Sequence, residues 1–176
     1  MILIKSNDDF KLKSIISILD QKKLSFVIDK SAKYFFELDL YFDGKNLKIN
    51  SSRESKVLKL PISVELFFSE IKNLLINKFV NIDDFKYEPV KQSIIHDNRI
   101  ANLNYIHNII ISNLILNLNE GVDKFFLYQL IWPDDKDIQI NKLDTHLTNL
   151  KNKIKHELLL DLNISSLNGI IKLRVN

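Results

Sequence analysis

Cysteine is absent from this chain, so it holds no disulfide, no thiolate metal site and no cysteine nucleophile. That fits a reducing compartment, and the expected location is the cytoplasm. Glycine is nearly absent: Gly44, Gly121 and Gly169 stand far apart, and none belongs to a phosphate-cradling loop. No uninterrupted apolar run approaches the roughly 20 residues that a membrane-crossing helix needs. The opening Met1-Ile2-Leu3-Ile4 runs at once into Lys5 and acidic residues, which reads as a first strand and not as a secretory leader. Arginine is scarce as well, with Arg53, Arg99 and Arg174 the three among 25 basic residues. Lys, Asn and Ile are abundant instead, a usage that points to A+T-rich coding.

Catalytic and metal-binding constellations are equally thin. His96, His107, His146 and His156 lack the spacing of a zinc site; His96 lies by a turn and His107 on a mostly apolar helix, where a structural role is expected. Asp134, Asp135 and Asp137 follow Trp132-Pro133 and read as a solvated turn that complements the next helix's N-terminus. No nucleophile–base pair is visible, so the chain is expected to be no enzyme and to hold no metal and no cofactor.

With 176 residues, 45% hydrophobic and 27% charged, the chain has material for one good core or two small ones, and two are expected. The first, residues 1–77, reads as a small α/β domain. Ile2–Ile4 is a buried-type strand. A helix follows, capped by Ser6 or Asn7, with Asp8 and Asp9 in its first turn and Phe10, Leu12, Ile15, Ile16 and Leu19 along it. A second strand is expected at Leu24–Ile28. Phe35–Phe42 and Lys45–Asn50 flank Asp43-Gly44, the strongest hairpin signal in the sequence. Val57–Leu60 is a further strand; Pro61 and a helix from Val64 to about Asn77 follow, with Leu66, Phe67, Ile71, Leu74 and Leu75 on its buried side. No Gly/Ser/Pro linker separates this domain from the next, residues 78–176, which argues for restricted domain motion. Strands are expected there at Ile82–Tyr87 and Gln92–Ile95, with a turn at Asp97-Asn98.

The most telling segment is Leu143–Ile154, LDTHLTNLKNKI. Leu143, Leu147, Leu150 and Ile154 recur at steps of four, three and four and form one apolar stripe. The opposite face carries Lys142, Thr145, Thr148, Asn149 and Asn152, with Lys151, Lys153 and Lys155 on its flanks, groups that hydrogen-bond bases or neutralise phosphates. The chain's net charge of +3 is too small to announce a nucleic-acid protein, but the basic residues of this helix are focused.

From Val80 to Leu173 the chain resembles the winged-helix DNA-binding domain of OmpR/PhoB-type response regulators. The family's recognition helix runs close to VDVHISRLRRKL, and LDTHLTNLKNKI keeps the stripe, Asp144 and His146 in register. Leu103 and Trp132 match the two ends of the preceding helix pair. Ile110, Ile111, Leu114 and Ile115 match the core of its first helix, and Leu127 with Ile131 that of its second. SLNGIIKL, Ser166 to Leu173, matches the wing. The family's threonine and glutamate at the first helix become Asn104 and His107. Its DNA-contacting arginines fall on Asn141, Thr148, Asn149 and Lys151, and its wing arginine on Asn168. Lysine keeps the charge of arginine and loses the bidentate fork to guanine, whereas asparagine suits adenine, so an A·T-leaning site is expected.

The resemblance extends in weaker form to the N-terminal part, whose two ends look like a receiver domain. The receiver's acidic pair falls on Ser6 and Asn7, and the residue before Pro61 is Leu60, with Lys59 one place earlier. Asp39, in ELDLYF, is the one echo of a phosphoacceptor. Magnesium-assisted phosphoryl transfer needs clustered carboxylates and a balancing lysine. The resemblance therefore implies a shrunken, atypical receiver that has lost phosphorylation, with Phe67, Phe68, Leu74 and Leu75 on a helix matching the family's dimer face.

Taken together, the fold class is a small receiver-like α/β domain followed by an α+β winged helix-turn-helix domain. The implied function is a bacterial, sequence-specific transcriptional regulator that acts as a phosphorylation-independent homodimer. Its partners would be double-stranded DNA and the transcription machinery. Thr145, Thr148 and Asn149 would face bases, beside Asn141 and His146. Trp132, Lys142, Lys151 and Lys153 would hold phosphates, and Asn168 would enter the minor groove. The alternative is an interaction adaptor that keeps the winged helix as a scaffold and no longer binds DNA.

Overall fold

A computed structural model describes residues 1–21, 26–28, 31–52 and 54–174, the side chains of residues 20 and 21 excepted. Among them the chain is mixed α/β, with five helices and three sheets, and it divides into two compact units, Met1–Lys78 and Phe79–Asn176. Arg53 and the first two residues of the strand expected at Leu24–Ile28 lie outside the described residues.

The first unit runs β1 (Ile2–Ser6), α1 (Asp9–Gln21), β2 (Phe26–Val27), β3 (Phe36–Asp43), β4 (Asn46–Ser51), β5 (Ser55–Lys59) and α2 (Val64–Leu75). The strands form one sheet in the order β2-β1-β3-β4-β5. β1 is parallel to both neighbours, and β3, β4 and β5 form an antiparallel meander. Register makes its two faces unlike. Ile2, Ile4, Leu38, Leu40, Leu47, Ile49 and Leu58 are buried, while Glu37, Asp39, Tyr41, Lys48 and Asn50 alternate onto the other side. The β3–β4 turn is two residues long, Gly44-Lys45, with Gly44 at φ +48°, so Asp43 is the last paired residue and not a turn residue.

Ser63 caps α2, accepting from the Leu66 amide at 3.1 Å. Phe67, Ile71, Leu74 and Leu75 form its buried stripe. Leu66, expected on that stripe, is 45% exposed, because it sits one residue, about 100° of helical rotation, from Phe67.

The second unit opens with β6 (Val80–Ile82), β7 (Phe85–Glu88), β8 (Ser93–His96) and β9 (Arg99–Asn102), an antiparallel four-stranded sheet in sequence order. The single strand expected over Ile82–Tyr87 is instead a hairpin. Asp83-Asp84 makes the turn, with Asp83 at φ +26°; aspartate tolerates such backbone and apolar alternation hides it. The turn at Asp97-Asn98 has both residues at positive φ, 45° and 63°, as a two-residue hairpin requires.

Then come α3 (Tyr105–Leu116), β10 (Val122–Asp123), α4 (Lys124–Ile131), α5 (Ile140–Leu158), β11 (Asn163–Leu167) and β12 (Ile170–Arg174). β12 lies between β10 and β11, antiparallel to both. Helix α3 is buried nearly all round, polar His107, Asn108, Ser112 and Asn113 included. Two of these have a clear use: the Tyr87 hydroxyl bonds Asn108 Oδ1 at 2.7 Å and Ser112 Oγ at 2.6 Å, tying the four-stranded sheet to α3. Burial raises the Tyr87 pKa, so the hydroxyl stays protonated and able to donate.

Candidate nucleic-acid interface

Three caps set the helices that build this surface. Asn104 begins α3 by accepting from the His107 amide at 2.8 Å, and Asp123 begins α4 by accepting from Phe126 at 2.8 Å. Helix α5 ends at Leu159 in the left-handed conformation, φ 55°. Its stripe of Leu143, Leu147, Leu150, Ile154 and Leu158 is buried. The opposite face presents Asn141, Thr145, Thr148, Asn149 and Asn152, all exposed, four of them in one row at steps of four, three and four. The Thr145 hydroxyl donates to its own helix, to the Asn141 carbonyl at 2.9 Å, leaving its lone pairs outward.

The β11–β12 hairpin follows directly. Leu167 and Ile170 are its last pair, and Asn168 (φ 50°) with Gly169 (φ 79°) forms the tip. The tip is tethered, since the Lys124 amide at the start of α4 donates to the Gly169 carbonyl at 2.8 Å. Asn168 is exposed on that fixed tip.

The basic residues are less free than their sequence positions imply. Lys142 Nζ bonds Asp135 at 2.9 Å, Lys153 bonds Glu157 at 2.5 Å and Lys155 bonds Asp161 at 2.8 Å. Lys151 donates to the Ile164 carbonyl at 3.4 Å. Asp135 also accepts from the Tyr128 hydroxyl at 2.8 Å, and the Lys142 and Tyr128 bonds together lower its pKa. The bond to Asp161 raises the Lys155 pKa and lowers that of Asp161. Such exposed pairs contribute little and exchange readily for another anion, so they reduce the positive potential of α5 without locking it. The Asp134–Asp137 segment is thus partly accounted for, because Asp135 holds the loop to α4 and α5. Among the described residues no group of three His, Asp or Glu side chains is arranged to hold a metal ion.

Trp132 and His146 are not simple surface residues. The Trp132 ring packs against Tyr128 at 4.7 Å and His146 at 5.5 Å between centroids, with the Lys142 ammonium 4.2 Å from its centre. His146 also meets the buried His107, edge-on at 5.9 Å. That neighbour has no local signal in the sequence. Nor has Gly121, whose φ of +82° and lack of a side chain let β12 pass against it. Lys124–Asp144, 2.6 Å apart, pins α4 to α5 and was equally illegible.

In the first unit, the position expected to echo a phosphoacceptor lies inside a strand. Asp39 pairs laterally with Lys5 and Asn50 in an open groove of about 610 Å³ lined also by Ser6, Asn7, Tyr41 and Lys48. Ser6 Oγ accepts from the Asp8 amide at 3.0 Å. Asn7 brackets Phe42, accepting from its amide at 2.7 Å and donating to its carbonyl at 3.0 Å. Both side chains at the positions where an acidic pair would be expected therefore serve the backbone. Lys5 is held by Glu37, and that bond raises its pKa. Phe67, Leu74 and Leu75 are buried and Phe68 is half-buried, so Val64 and Leu66, with part of Phe68, are the apolar groups this helix leaves exposed.

No protein-family model matches the chain, and no curated protein matches it either. Among solved structures it is similar to the DNA-binding domain of E. coli CadC, with 14% identity and a TM-score of 0.48 over 56% of this chain and 92% of that one. It is also similar to a chain described as belonging to a novel family of redox sensors in the streptococci that evolved from two-component response regulators. There the identity is 9% and the TM-score 0.43, over 99% of this chain and 67% of that one. No helix among the described residues is long and apolar enough to cross a membrane.

Proposed function

We propose that this chain is a cytoplasmic, non-catalytic transcriptional regulator whose second unit is a winged helix that binds double-stranded DNA through α5 and the β11–β12 tip. The observation that carries this reading is the uncovered row of Asn141, Thr145, Thr148 and Asn152, with Asn149 beside it, on a 19-residue helix followed by a tethered hairpin. A helix of that kind fits the major groove, and its amides suit adenine edges, so an A·T-leaning half-site is expected. Lys142, Lys151 and Lys153 would exchange their internal partners for phosphates, which makes affinity fall steeply with salt. Trp132 and His146 act in this reading as the support of that surface. A homodimer would place two α5 helices on successive half-sites, joined through the outward side of α2 at Leu66 and Phe68, with the transcription machinery as a further partner.

Selection from a random duplex pool at two salt concentrations tests this, with sequencing of the retained DNA. A repeated A·T-leaning half-site is expected, and Asn149→Ala should cost about 1–3 kcal/mol at one base position. Negligible retention at low salt, or a loss spread evenly over all sequences, would reject the assignment.

Control by phosphorylation has no place in this reading, because Ser6 and Asn7 serve the backbone and, among the described residues, no metal-holding group of three acidic or histidine side chains includes Asp39. Incubation with acetyl phosphate and magnesium should leave the intact mass unchanged, and Asp39→Asn should bind DNA like the parent. A phosphorylated product that disappears in that variant would restore the receiver chemistry. The second reading, an interaction adaptor, is favoured by two features: the internal pairing of the α5 lysines, and the exposed Phe125, Phe126 and Leu130 on α4.

A further inference from the structure

His107 is the anomaly of the second unit. It lies within α3 at 5% exposure, and among the described residues neither ring nitrogen has a hydrogen-bond partner. Buried polar atoms in folded proteins rarely stay unpaired, so such a group calls for an explanation. Its ring faces a second imidazole, His146 of α5, at an interplanar angle of 76°. His146 in turn lies against Trp132, and Trp132 against Tyr128 and beneath the Lys142 ammonium. We infer that this His107–His146–Trp132 stack is a proton-operated latch, closed while His107 is neutral and parted at the α3–α5 seam when His107 takes up a proton.

The surroundings explain why a charged His107 would not be tolerated in place. From α5 it is faced by His146 and Lys153, and a positive charge on either repels a positive ring, while Glu157 is held by Lys153 and Asp144 by Lys124. On the side of α4, Tyr128 packs on Trp132, and the acid it bonds, Asp135, is already shared with Lys142. β12 turns Ile171 and Leu173 inward, and its Lys172 lies over Gly121. The four-stranded sheet meets α3 through Tyr87, and its buried Glu88 is taken by Lys91 and Ser93. Burial first, then His146 and Lys153, hold the His107 pKa below its usual 6.5.

The sign follows from linkage. The folded state binds fewer protons than the unfolded chain between the lowered pKa and about 6.5, so His107's contribution is complete above that range and is lost as pH falls through it. Trp132 is the member of the stack least held by regular structure, since it closes α4 and begins the irregular segment 132–139. Parting the stack therefore moves Trp132 and Lys142, two groups beside the exposed face of α5, whether or not that face meets DNA.

Trp132 is the only tryptophan, so its emission reports the latch directly. The test follows that emission, the imidazole resonances and far-ultraviolet circular dichroism of the full chain from about pH 8 to about pH 4.5, a range that spans ordinary histidine titration. His107 is expected to titrate below 6.5, with Trp132 emission changing at the same midpoint and helicity unchanged. His107→Phe should abolish that emission change. His146→Gln should move the His107 midpoint up towards 6.5, and it decides the matter if the first variant fails to fold. The latch is overturned by a His107 that titrates at or above 6.5 or stays neutral throughout, or by an emission change that survives His107→Phe. A midpoint unmoved by His146→Gln, or loss of helicity at that same midpoint, would overturn it equally.

Discussion

Replacing Gly121 by alanine is expected to lower the stability of the unit Phe79–Asn176 by about 2–4 kcal/mol. Two costs combine. At φ +82° an L side chain meets the left-handed penalty of roughly 1–2 kcal/mol. A Cβ there would also stand 2.6 Å from Ile170 Cγ2, 2.7 Å from Lys172 Cγ and 2.9 Å from the Ile171 carbonyl oxygen. The Lys172 stem can swing aside, but the carbonyl belongs to β12 in its pairing with Val122. Relief would require β12 to move, and the α4-to-tip tether through Gly169 with it. Gly44 and Gly169 provide the contrast, because a Cβ at either meets nothing within 4 Å and only the backbone penalty remains. Urea unfolding followed by Trp132 emission compares Gly121→Ala with Gly169→Ala, which lie in the same unit as that tryptophan. If Gly121→Ala loses no more than Gly169→Ala, the strand yields to the new methyl and the tether is looser than its geometry implies.

Gly121 also marks where sequence reading stops. The stripe of α5 was legible because a step of four, three and four is a local property of a helix, and the β3–β4 hairpin because a glycine turn signal is local too, although the turn falls one residue later than Asp43-Gly44, at Gly44-Lys45. Even so, α5 runs a turn further at its C-terminal end than Ile154, since its stop is Leu159 in the left-handed region and not a glycine. The Asp83-Asp84 turn was hidden by the apolar alternation on either side of it. The exposed polar face of α5 from Thr145 to Asn152 could be read from spacing, whereas Asn141 was reached only through the resemblance, and Lys142, expected on that face, is half-buried and paired with Asp135. The electrostatics of that face could not be read. Lys153–Glu157 is a four-residue helical pair and visible in principle, whereas Lys142–Asp135 closes across an irregular segment and Lys155–Asp161 across the end of the helix. The same holds for Trp132 and His146. Register placed His146 beside readable positions, and only tertiary packing of α3 against α5 sets it between a buried imidazole and an indole.

Two substitutions two residues apart on α5 should separate folding from recognition. Leu150 is fully buried, and Leu150→Ala is expected to cost about 2–5 kcal/mol in stability through lost burial and the cavity left behind. Thr148 is exposed on the opposite side, so Thr148→Ala should stay within about ±0.5 kcal/mol of the parent. Under the DNA-binding reading their order reverses in function once folding is allowed for. At a urea concentration and temperature where both proteins remain folded, Leu150→Ala keeps the selected half-site. Thr148→Ala instead weakens discrimination at one base position. The adaptor reading predicts the same stabilities and no change in DNA selectivity from either substitution. Comparable destabilisation by the two would mean that the polar face of α5 is packed and not free, and the groove-facing role of Asn141, Thr145, Thr148, Asn149 and Asn152 would fall with it. Stability alone thus tests the geometry, and base selectivity tests what that geometry is for.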